Sequence, residues 1–267
     1  MPHQSGVLDL SAYRASPAER RRTQDLLDLI PGRGELALDI GARDGHFSHL
    51  LAQRFDKVVA LDLQRPRIDH PRIECLQGDA AALQFASESI DFVLCAEVLE
   101  HIPPHLLGEV CAELQRVSAD KILIGVPYRQ DIRVGRTTCQ ACGGKNPPWG
   151  HVNSFDEHRL AALFDQCTVT ATSYVGQTTD STNALSCLLM DLAGNPYGTY
   201  KQEEPCIHCG ARLAPPPPRD LPKKVLTRLA FWSRAATTAL QAPRPNWIHM
   251  LLTKRNAPPY PAMYGLA

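Results

Sequence analysis

The sequence has no surplus of charge of either sign. Its 28 lysines and arginines balance its 28 aspartates and glutamates, so the formal net charge is zero. Proteins that hold nucleic acid mainly through its phosphates carry a cationic surplus, often concentrated in a basic patch. Nucleic acid is therefore not an expected partner.

Long apolar runs are also missing. No segment reaches the roughly 18 to 20 apolar residues that cross a bilayer. Residues 1–14 do not combine a basic start with the apolar stretch of a secretory signal. We therefore expect a cytoplasmic protein with no membrane partner. The sequence gives no signal for an oligomeric state.

A disulfide framework is not indicated either, because the nine cysteines are odd in number and follow no signal peptide. Four of them form two C-x-x-C pairs, which are considered below. The other five are isolated among apolar residues and are interpreted as small buried side chains: Cys75, Cys95, Cys111, Cys167 and Cys187.

Short apolar segments alternate with helical patterns over the first half of the chain. Strands are predicted at residues 35–40, 57–61, 72–76, 90–95 and 121–126, and helices at 17–30, 46–55 and 105–117. Continuous apolar strands separated by helices are typical of a parallel sheet covered on both faces. The sequence therefore predicts an α/β fold. In the first helix, Arg20–Arg22 is interpreted as a solvated face.

The regular alternation of strands and helices ends after Val126, where two segments rich in glycine and proline interrupt it. Further elements are predicted as a helix at 156–166, a strand at 168–175, a helix at 223–240 and a last strand at 247–254. The predicted division is a core at 1–134, an insertion at 135–150, core again at 151–175, a second insertion at 176–245, a last core strand at 246–255 and a tail at 256–267.

Three acidic residues follow three successive predicted strands. Asp39 leads into a glycine turn at 41–45, Asp62 ends the second strand, and Asp79 follows the third. The carboxyl ends of parallel strands face one crevice. There a carboxylate such as Asp62 can accept hydrogen bonds from both ribose hydroxyls, and Asp79 can reach an adenine amino group.

The segments LDIGARDG, VVALD, QGDA and IDFVLCAEVLEHIP resemble the class I S-adenosylmethionine-dependent methyltransferases, within the type 11/12-like group. The resemblance covers about residues 35–126 and 150–175. It implies a Rossmann-like, seven-stranded, mostly parallel sheet with helices on both faces, and S-adenosylmethionine as the cofactor. It also implies a cofactor pocket lined by Asp39, Gly41, Ala42, Gly45, Asp62, Leu63, Asp79, Ala80, Cys95, Ala96 and Glu97.

Arg43 departs from the pattern of that family, which has glycine in the middle of the loop. Because arginine adopts the left-handed conformation only at a cost, either the loop differs or the Arg43 side chain points away from the cofactor. A Rossmann-like domain that binds NAD is the alternative interpretation. It does not account for Asp79, and the glycine spacing is not G-x-G-x-x-G.

The two cysteine pairs, Cys139 with Cys142 and Cys206 with Cys209, are typical of a four-thiolate zinc site. Since 63 residues separate Cys142 from Cys206, such a site would join the two insertions into a small zinc-knuckle lid beside the methyl donor. Four thiolates leave no open position, so the Zn²⁺ would be structural. Four unligated cysteines and a redox disulfide are the alternatives. His151 is a possible substitute ligand, and His208 is interpreted as a non-ligand.

Methyl transfer to a hydroxyl needs a group that accepts its proton, and histidine is the usual base near neutral pH. His101 and His151 lie in segments that border the active site in similar enzymes, and Tyr128 follows the fifth strand. The alternative for His101 is a support of its own loop. Ser154 and Glu157 are interpreted as a capping box.

Together these patterns predict a methyltransferase that acts on an oxygen or nitrogen of a small molecule, such as a sugar or a secondary metabolite. Balanced charge and the lack of a basic domain favour a small-molecule substrate. Two alternatives stay open. One is an RNA or protein methyltransferase that uses the zinc lid for recognition, and the other is a non-catalytic, zinc-stabilised interaction module.

Overall fold

The computed structural model describes residues 14–239 and 241–255. Its strands are β1 (Gly34–Ile40), β2 (Phe55–Asp62), β3 (Ile73–Gln77), β4 (Ile90–Ala96), β5 (Ser118–Pro127), β6 (Thr137–Thr138), β7 (Lys145–Asn146), β8 (Cys167–Val175) and β9 (Trp247–Lys254). Its helices are α1 (Pro17–Leu29), α2 (His46–Leu51), α3 (Leu107–Val117), α4 (Glu157–Ala162), α5 (Ala184–Leu192) and α6 (Leu221–Thr238). The predicted tail at 256–267 lies outside the described residues.

Within those residues, seven strands form one sheet in the order β3-β2-β1-β4-β5-β9-β8. The first five pair in parallel, and β9 runs antiparallel to both of its neighbours. Strands β5 and β8 therefore point the same way, and both insertions leave the sheet at the same edge. The predicted Rossmann-like, seven-stranded and mostly parallel sheet is confirmed.

Helices cover both faces of the sheet. On one face, Leu26 of α1 and Leu51 of α2 pack with Phe55 and Phe92, whose rings stack 5.4 Å apart. On the other face, α3 and α4 bury a second apolar cluster that includes Leu114. Strands sandwiched in this way are buried on both sides, which explains their uninterrupted apolar sequences.

The ends of three predicted helices can be compared with their observed caps. Ser16 caps α1 by accepting a hydrogen bond from the backbone N–H of Glu19. Helix α2 ends at Leu51, earlier than predicted, because Phe55 already begins β2. Helix α4 is capped by Asp156, whose carboxylate accepts from the N–H of Arg159, so the predicted capping box of Ser154 and Glu157 is wrong.

The two insertions pack against each other. Helices α5 and α6 pack together in the second insertion, and the short β6–β7 hairpin lies in the first. Arg136 pairs with Asp191 at 2.6 Å, and the Asn195 amide donates to the Thr138 hydroxyl at 2.9 Å. These contacts join segments more than 50 residues apart. In the described part of the chain, no helix is long and apolar enough to span a membrane.

Candidate active site

The loops after the first three strands meet at one edge of the sheet. The backbone N–H groups of Gly41 and Ala42 both donate to the carbonyl of Leu61, at 2.8 and 3.1 Å. Asp62 stands opposite Gln77 in the register of β2 and β3. The carboxyl ends of these neighbouring strands therefore form one continuous rim, which is where α/β folds bind nucleotides.

The glycine loop between β1 and α2 depends on its glycines. Gly41 and Gly45 have φ of +73° and +83°, a left-handed conformation that side chains disfavour. A Cβ added at Gly41 would lie 2.5 Å from Cγ2 of Val98, and one at Gly45 would overlap Ile68. The loop can pack this closely against Val98 and Ile68 only because glycine has no side chain at either position.

Arg43 also adopts the left-handed conformation, with φ of +46°. The loop thus keeps a left-handed residue at this point even though glycine is absent. The Arg43 side chain extends away to an ion pair with Glu203, 2.8 Å away in the second insertion. Of the two outcomes expected for Arg43, the structure has the one in which its side chain points away.

The carboxylate of Asp62 is held at the end of β2 by two backbone donors. The N–H of Arg43 donates to one oxygen at 3.0 Å, and the N–H of Gln64 donates to the other at 3.3 Å. Asp79, at the end of the next strand, is exposed and accepts from the N–H of Ala81 at 2.9 Å. Two acids from adjacent strands therefore border the rim beside the glycine loop.

Asp39 is buried at the start of the same loop. The Ser48 hydroxyl of α2 donates to its carboxylate at 2.6 Å, which fixes α2 against β1. Burial raises the pKa of Asp39 to about 7, and the nearby charge of Asp62 adds to this effect. Asp39 is therefore a largely protonated support of the loop in mildly acidic solution.

Glu97 follows β4 with a φ of +57° and turns its side chain toward α1. Its carboxylate lies 3.2 Å from the guanidinium of Arg22 and accepts from the indole N–H of Trp247 at 3.4 Å. Arg22 is only 4% exposed, so the prediction of a solvated face is wrong for this residue. Burial raises the pKa of Glu97.

The remaining residues predicted for the cofactor pocket lie along the same edge of the sheet. Cys95 is buried in register with Ile40, and Ala96 ends β4. Leu63 is exposed directly after β2, whereas Ala42 and Ala80 are buried in the loops after β1 and β3.

The histidines predicted to face the substrate lie side by side. The rings of His101 and His151 are 4.6 Å apart and nearly perpendicular. Burial and the charge of Arg43 lower the pKa of His101 to about 4, and burial beside His101 lowers that of His151 to about 3. Both rings are therefore neutral near pH 7, and each has a nitrogen lone pair.

Gln130 fixes the orientation of His151. Nδ1 of His151 lies 2.6 Å from the amide oxygen of Gln130. Because that oxygen can only accept, the ring donates from Nδ1, and Nε2 keeps the lone pair. By contrast, the hydroxyl of Tyr128 donates to Glu157 of α4 at 2.9 Å, so it is engaged away from the histidine pair.

An open cavity of about 680 Å³ adjoins this region, and Gln130 is part of its wall. Arg129, Arg133 and Arg244 also line it, together with Asp131. The sequence gives no local signal for Gln130, Arg133 or Arg244 in this wall. Arg244 enters from the segment before β9, more than 100 residues along the chain, so no local motif could have indicated it.

The four predicted metal ligands converge. All four sulfur atoms of Cys139, Cys142, Cys206 and Cys209 lie within 4.8 Å of one another. The Sγ atoms of Cys139 and Cys209 are 3.8 Å apart, and those of Cys142 and Cys206 are 3.6 Å apart. Four sulfurs at about 2.3 Å from a tetrahedral ion stand about 3.8 Å apart, so this cluster could hold Zn²⁺.

The two cysteine loops also share one hydrogen-bonding pattern. Cys139 donates its N–H to the carbonyl of Gly144, and Cys206 donates to Ala211, both at 2.9 Å. Gly143 donates back to Cys139 at 2.9 Å, as Gly210 does to Cys206 at 2.8 Å. The loops are therefore paired knuckles that aim both sulfurs inward.

The thiols of the cluster differ in how readily they ionise. The backbone N–H of Gly144 favours the Cys142 thiolate, but hydrogen bonds with the other cysteines, together with burial, raise the pKa of Cys142 to about 12. Burial opposes ionisation of Cys206, but hydrogen bonds from the backbone N–H groups of His208 and Cys209 and from the neighbouring cysteine thiols together lower its pKa to about 6. Nε2 of His208 lies 3.0 Å from the carbonyl of Lys145. His208 is therefore engaged outside the cluster, in agreement with its interpretation as a non-ligand.

Comparison with known families decides between the methyltransferase and NAD-binding interpretations of this rim. Residues 38–121 match the family described as "Methyltransferase domain". This segment of the chain, residues 38–121, is a methyltransferase domain. The resemblance drawn from the four motifs is therefore confirmed, and the matched residues of the methyltransferase domain run from β1 into β5.

Two curated proteins are similar to part of the methyltransferase chain. One is the biotin biosynthesis bifunctional protein BioHC of Cellvibrio japonicus, 34% identical over 100 residues, which are 34% of this chain and 20% of BioHC. The other is the ubiquinone biosynthesis O-methyltransferase of Hahella chejuensis, 29% identical over 109 residues, which are 35% of this chain and 46% of that protein. The chain thus spans less than half the length of both relatives.

The methyltransferase fold is also similar to solved structures. The 1,6-didemethyltoxoflavin-N1-methyltransferase of Burkholderia thailandensis, solved with its substrate and S-adenosylhomocysteine, superposes with a TM-score of 0.50. The match covers 91% of this chain and 80% of that enzyme at 16% identity. At this identity the likeness extends to the fold alone.

Proposed function

We propose that this chain transfers a methyl group from S-adenosylmethionine to an oxygen or nitrogen atom of a small molecule. The observation that carries this proposal is the carboxylate of Asp62, fixed at the end of β2 by the N–H of Arg43 in the glycine loop. This arrangement puts a hydrogen-bond acceptor for ribose hydroxyls beside a loop that a cofactor can approach closely.

The rim residues fit the parts of the cofactor. Asp62 holds the ribose, and Asp79 with the N–H of Ala80 holds the adenine. The loop from Gly41 to Gly45 and the backbone of Cys95, Ala96 and Glu97 surround the methionine part. When bound, S-adenosylmethionine supplies an electrophilic methyl group. The chain itself aligns the acceptor atom with that group and removes water from the site.

His151 handles the proton of the acceptor. Its Nδ1 is held by Gln130, so Nε2 of the neutral ring would accept the proton of the acceptor as the methyl group passes to it from the cofactor sulfur, which would leave as S-adenosylhomocysteine. His101 packs edge-on against this ring and limits its rotation. Tyr128, engaged with Glu157, supports the segment after β5.

A small molecule is supported as the substrate by three observations. The adjoining cavity of about 680 Å³ is of the size that encloses small ligands. The net charge of the chain is zero, which does not favour binding to RNA. The two curated relatives are named for steps in biotin and ubiquinone biosynthesis, and one of them is an O-methyltransferase.

The four cysteines bind one structural Zn²⁺ in this proposal. The ion joins the insertions at 135–150 and 176–245 into a lid, and the Arg43–Glu203 ion pair links the lid to the glycine loop. A closed four-thiolate site leaves no position for substrate, so its contribution is to hold the lid in place.

Methyl transfer to separate pools of acceptors tests the proposal. The zinc-loaded chain is incubated with methyl-labelled S-adenosylmethionine and a metabolite extract, total RNA or total protein. Label is expected in the metabolite pool, with loss in Asp62→Ala and retention in Asp69→Asn, which changes an exposed aspartate outside the rim. Label in RNA or protein instead, or in no pool, would contradict a small-molecule substrate or the activity itself.

A further inference from the structure

Glu100, in the segment after β4, is a buried acidic residue. The residue is 0% exposed, and among the described residues neither of its carboxylate oxygens has a hydrogen-bond partner. Burying a polar group without a partner is costly, and buried groups in native proteins are nearly always satisfied. Because of this cost, we expect a bound group from outside the chain to interact with the Glu100 carboxylate.

The imidazole rings of His101 and His151 lie close to the Glu100 carboxylate. One ligand atom each from Glu100, His101 and His151 lie within 4.8 Å of one another, a spacing that fits three ligands of a single ion. Two histidines with one carboxylate form a donor set that binds divalent transition metals and leaves coordination positions open. The three residues come from two segments, so the fold rather than a local motif brings them together.

The backbone holds these two segments in register. The N–H groups of Val152 and Asn153 both donate to the carbonyl of Glu100, at 2.8 and 3.2 Å. The Asn153 amide also donates to the carbonyls of Leu99 and Ile102, at 3.0 and 2.7 Å. The arrangement of the three side chains is therefore built in advance.

Gln130 supplies a second feature of metal sites. Histidine ligands usually donate their other ring N–H to an oxygen acceptor, which fixes the tautomer and the ring orientation. His151 does this through Nδ1 to the amide oxygen of Gln130, at 2.6 Å, and so keeps the lone pair on Nε2.

We propose that Glu100, His101 and His151 bind a divalent transition metal ion at a site separate from the four cysteines. Carboxylate and imidazole suit Mn²⁺, Fe²⁺, Co²⁺ or Zn²⁺, whereas a cluster of four thiolates favours Zn²⁺ over the harder Mn²⁺. Three protein ligands leave open positions, so this ion is accessible to a substrate.

The lid reaches the same site. Glu204, two residues before Cys206, packs against Gly150, where an added Cβ would lie 2.8 Å from Cγ of Glu204 and 3.7 Å from Nδ1 of His101. One carboxylate oxygen of Glu204 is also buried without a partner in the described part of the chain. The lid thus brings a second carboxylate next to the metal site.

The role of the ion rests on the proposed methyltransferase function. A bound metal ion would hold an acceptor hydroxyl through its oxygen and lower the pKa of that hydroxyl, so that its proton would pass to water. The resulting oxyanion would then take the methyl group as the methyl–sulfur bond breaks and S-adenosylhomocysteine leaves. The open positions favour an acceptor with two adjacent oxygens, such as a catechol or a vicinal diol. In the metal-bound chain the lone pair of His151 binds the ion, which then activates the acceptor, whereas in the metal-free chain His151 keeps the role of base described above.

Binding of Mn²⁺ to the zinc-loaded chain tests the site without depending on activity. In the zinc-loaded chain the four thiolates are already occupied, and Mn²⁺ prefers oxygen and nitrogen donors. Binding of Mn²⁺ at the proposed site is therefore measured as a loss of the electron paramagnetic resonance signal of free Mn²⁺. One Mn²⁺ per chain is expected. Glu100→Gln and His151→Gln should each weaken binding at least tenfold, and Gln130→Ala by about 10- to 100-fold.

His158→Gln is the matched control, because His158 is exposed on α4 and should leave Mn²⁺ affinity unchanged. Circular dichroism and zinc content verify folding, and His151→Gln decides the question if Glu100→Gln does not fold. Failure of the native chain to bind Mn²⁺, or equal binding by His151→Gln, would overturn the metal site. Methyl transfer without Mn²⁺ binding rejects this inference alone, whereas binding without transfer supports the site and rejects the function.

Discussion

The guanidinium of Arg43 lies 2.8 Å from the carboxylate of Glu203. Arg43 belongs to the glycine loop after β1, and Glu203 lies three residues before Cys206 in the second insertion. Both side chains are about half exposed, so the ion pair itself contributes little to stability. Its importance is positional, because it joins the proposed cofactor loop to the segment that carries the second cysteine pair.

Replacing Arg43 tests whether its left-handed backbone is strained. Arg43→Gly and Arg43→Ala both remove the ion pair, but only glycine adopts a φ of +46° without a steric penalty. The glycine variant should therefore be more stable than the alanine variant by about 1 kcal/mol in the free energy of unfolding. Urea denaturation of the two variants measures this difference. An alanine variant of equal or greater stability would show that the loop is not strained at Arg43.

The buried carboxyl of Asp39 should make stability depend on pH. Its pKa is raised to about 7 in the folded state, whereas an aspartate of the unfolded chain ionises near its ordinary pKa of about 3.9. Between about pH 4 and 7 the unfolded state therefore loses this proton while the folded state keeps it. The stabilisation is complete below pH 4 and is lost as the pH rises through 7.

Asp39→Asn removes this dependence while its amide oxygen can still accept from Ser48. Relative to the native chain, the variant should gain on the order of 2–4 kcal/mol in the free energy of unfolding between about pH 4 and 8. Denaturant titrations at both pH values, with Asp69→Asn as the exposed control, measure the gain. Parallel stability curves for the native chain and Asp39→Asn would mean that Asp39 ionises normally.

The thiolate cluster should bind one zinc ion per chain. Cys139→Ser combined with Cys206→Ser removes one ligand from each knuckle and should abolish stoichiometric zinc, as measured by elemental analysis. Cys187→Ser, a half-buried cysteine outside the cluster, should retain the metal. Zinc removal should also increase cleavage of the two insertions by protease, because the ion holds them together. A double variant that keeps its zinc would refute the four-thiolate site.

The sheet and the rim could be predicted from the sequence because their signals are local. The buried strands contain continuous apolar segments, and Asp39, Asp62 and Asp79 lie at or just beyond the carboxyl ends of β1, β2 and β3. The parallel arrangement then brings their ends to one edge without further information. The metal ligands could also be predicted from the sequence, because two cysteines separated by two residues can bind one ion from a single short turn.

Other contacts could not be predicted because their partners are distant in sequence. Arg22 looked like part of a solvated face, but its partner Glu97 lies 75 residues away and draws it into the interior. His151 lies beside Glu100 because the chain that leaves β5 returns, after the first insertion, to the segment that follows β4. No local sequence pattern predicts this return. Helix α4 begins at Glu157 and is capped by Asp156, which has the extended backbone of an N-cap, although Ser154 and Glu157 match the sequence pattern of a capping box.

Calorimetric titration of the zinc-loaded chain with S-adenosylmethionine tests the central claim most directly. Binding of one cofactor per chain is expected, and Asp62→Asn should weaken it by about 1–3 kcal/mol because a charge-assisted hydrogen bond to the ribose is lost. Asp69→Asn should bind like the native chain. A native chain that binds no cofactor, or an Asp62→Asn variant with unchanged affinity, would contradict a cofactor site at this rim.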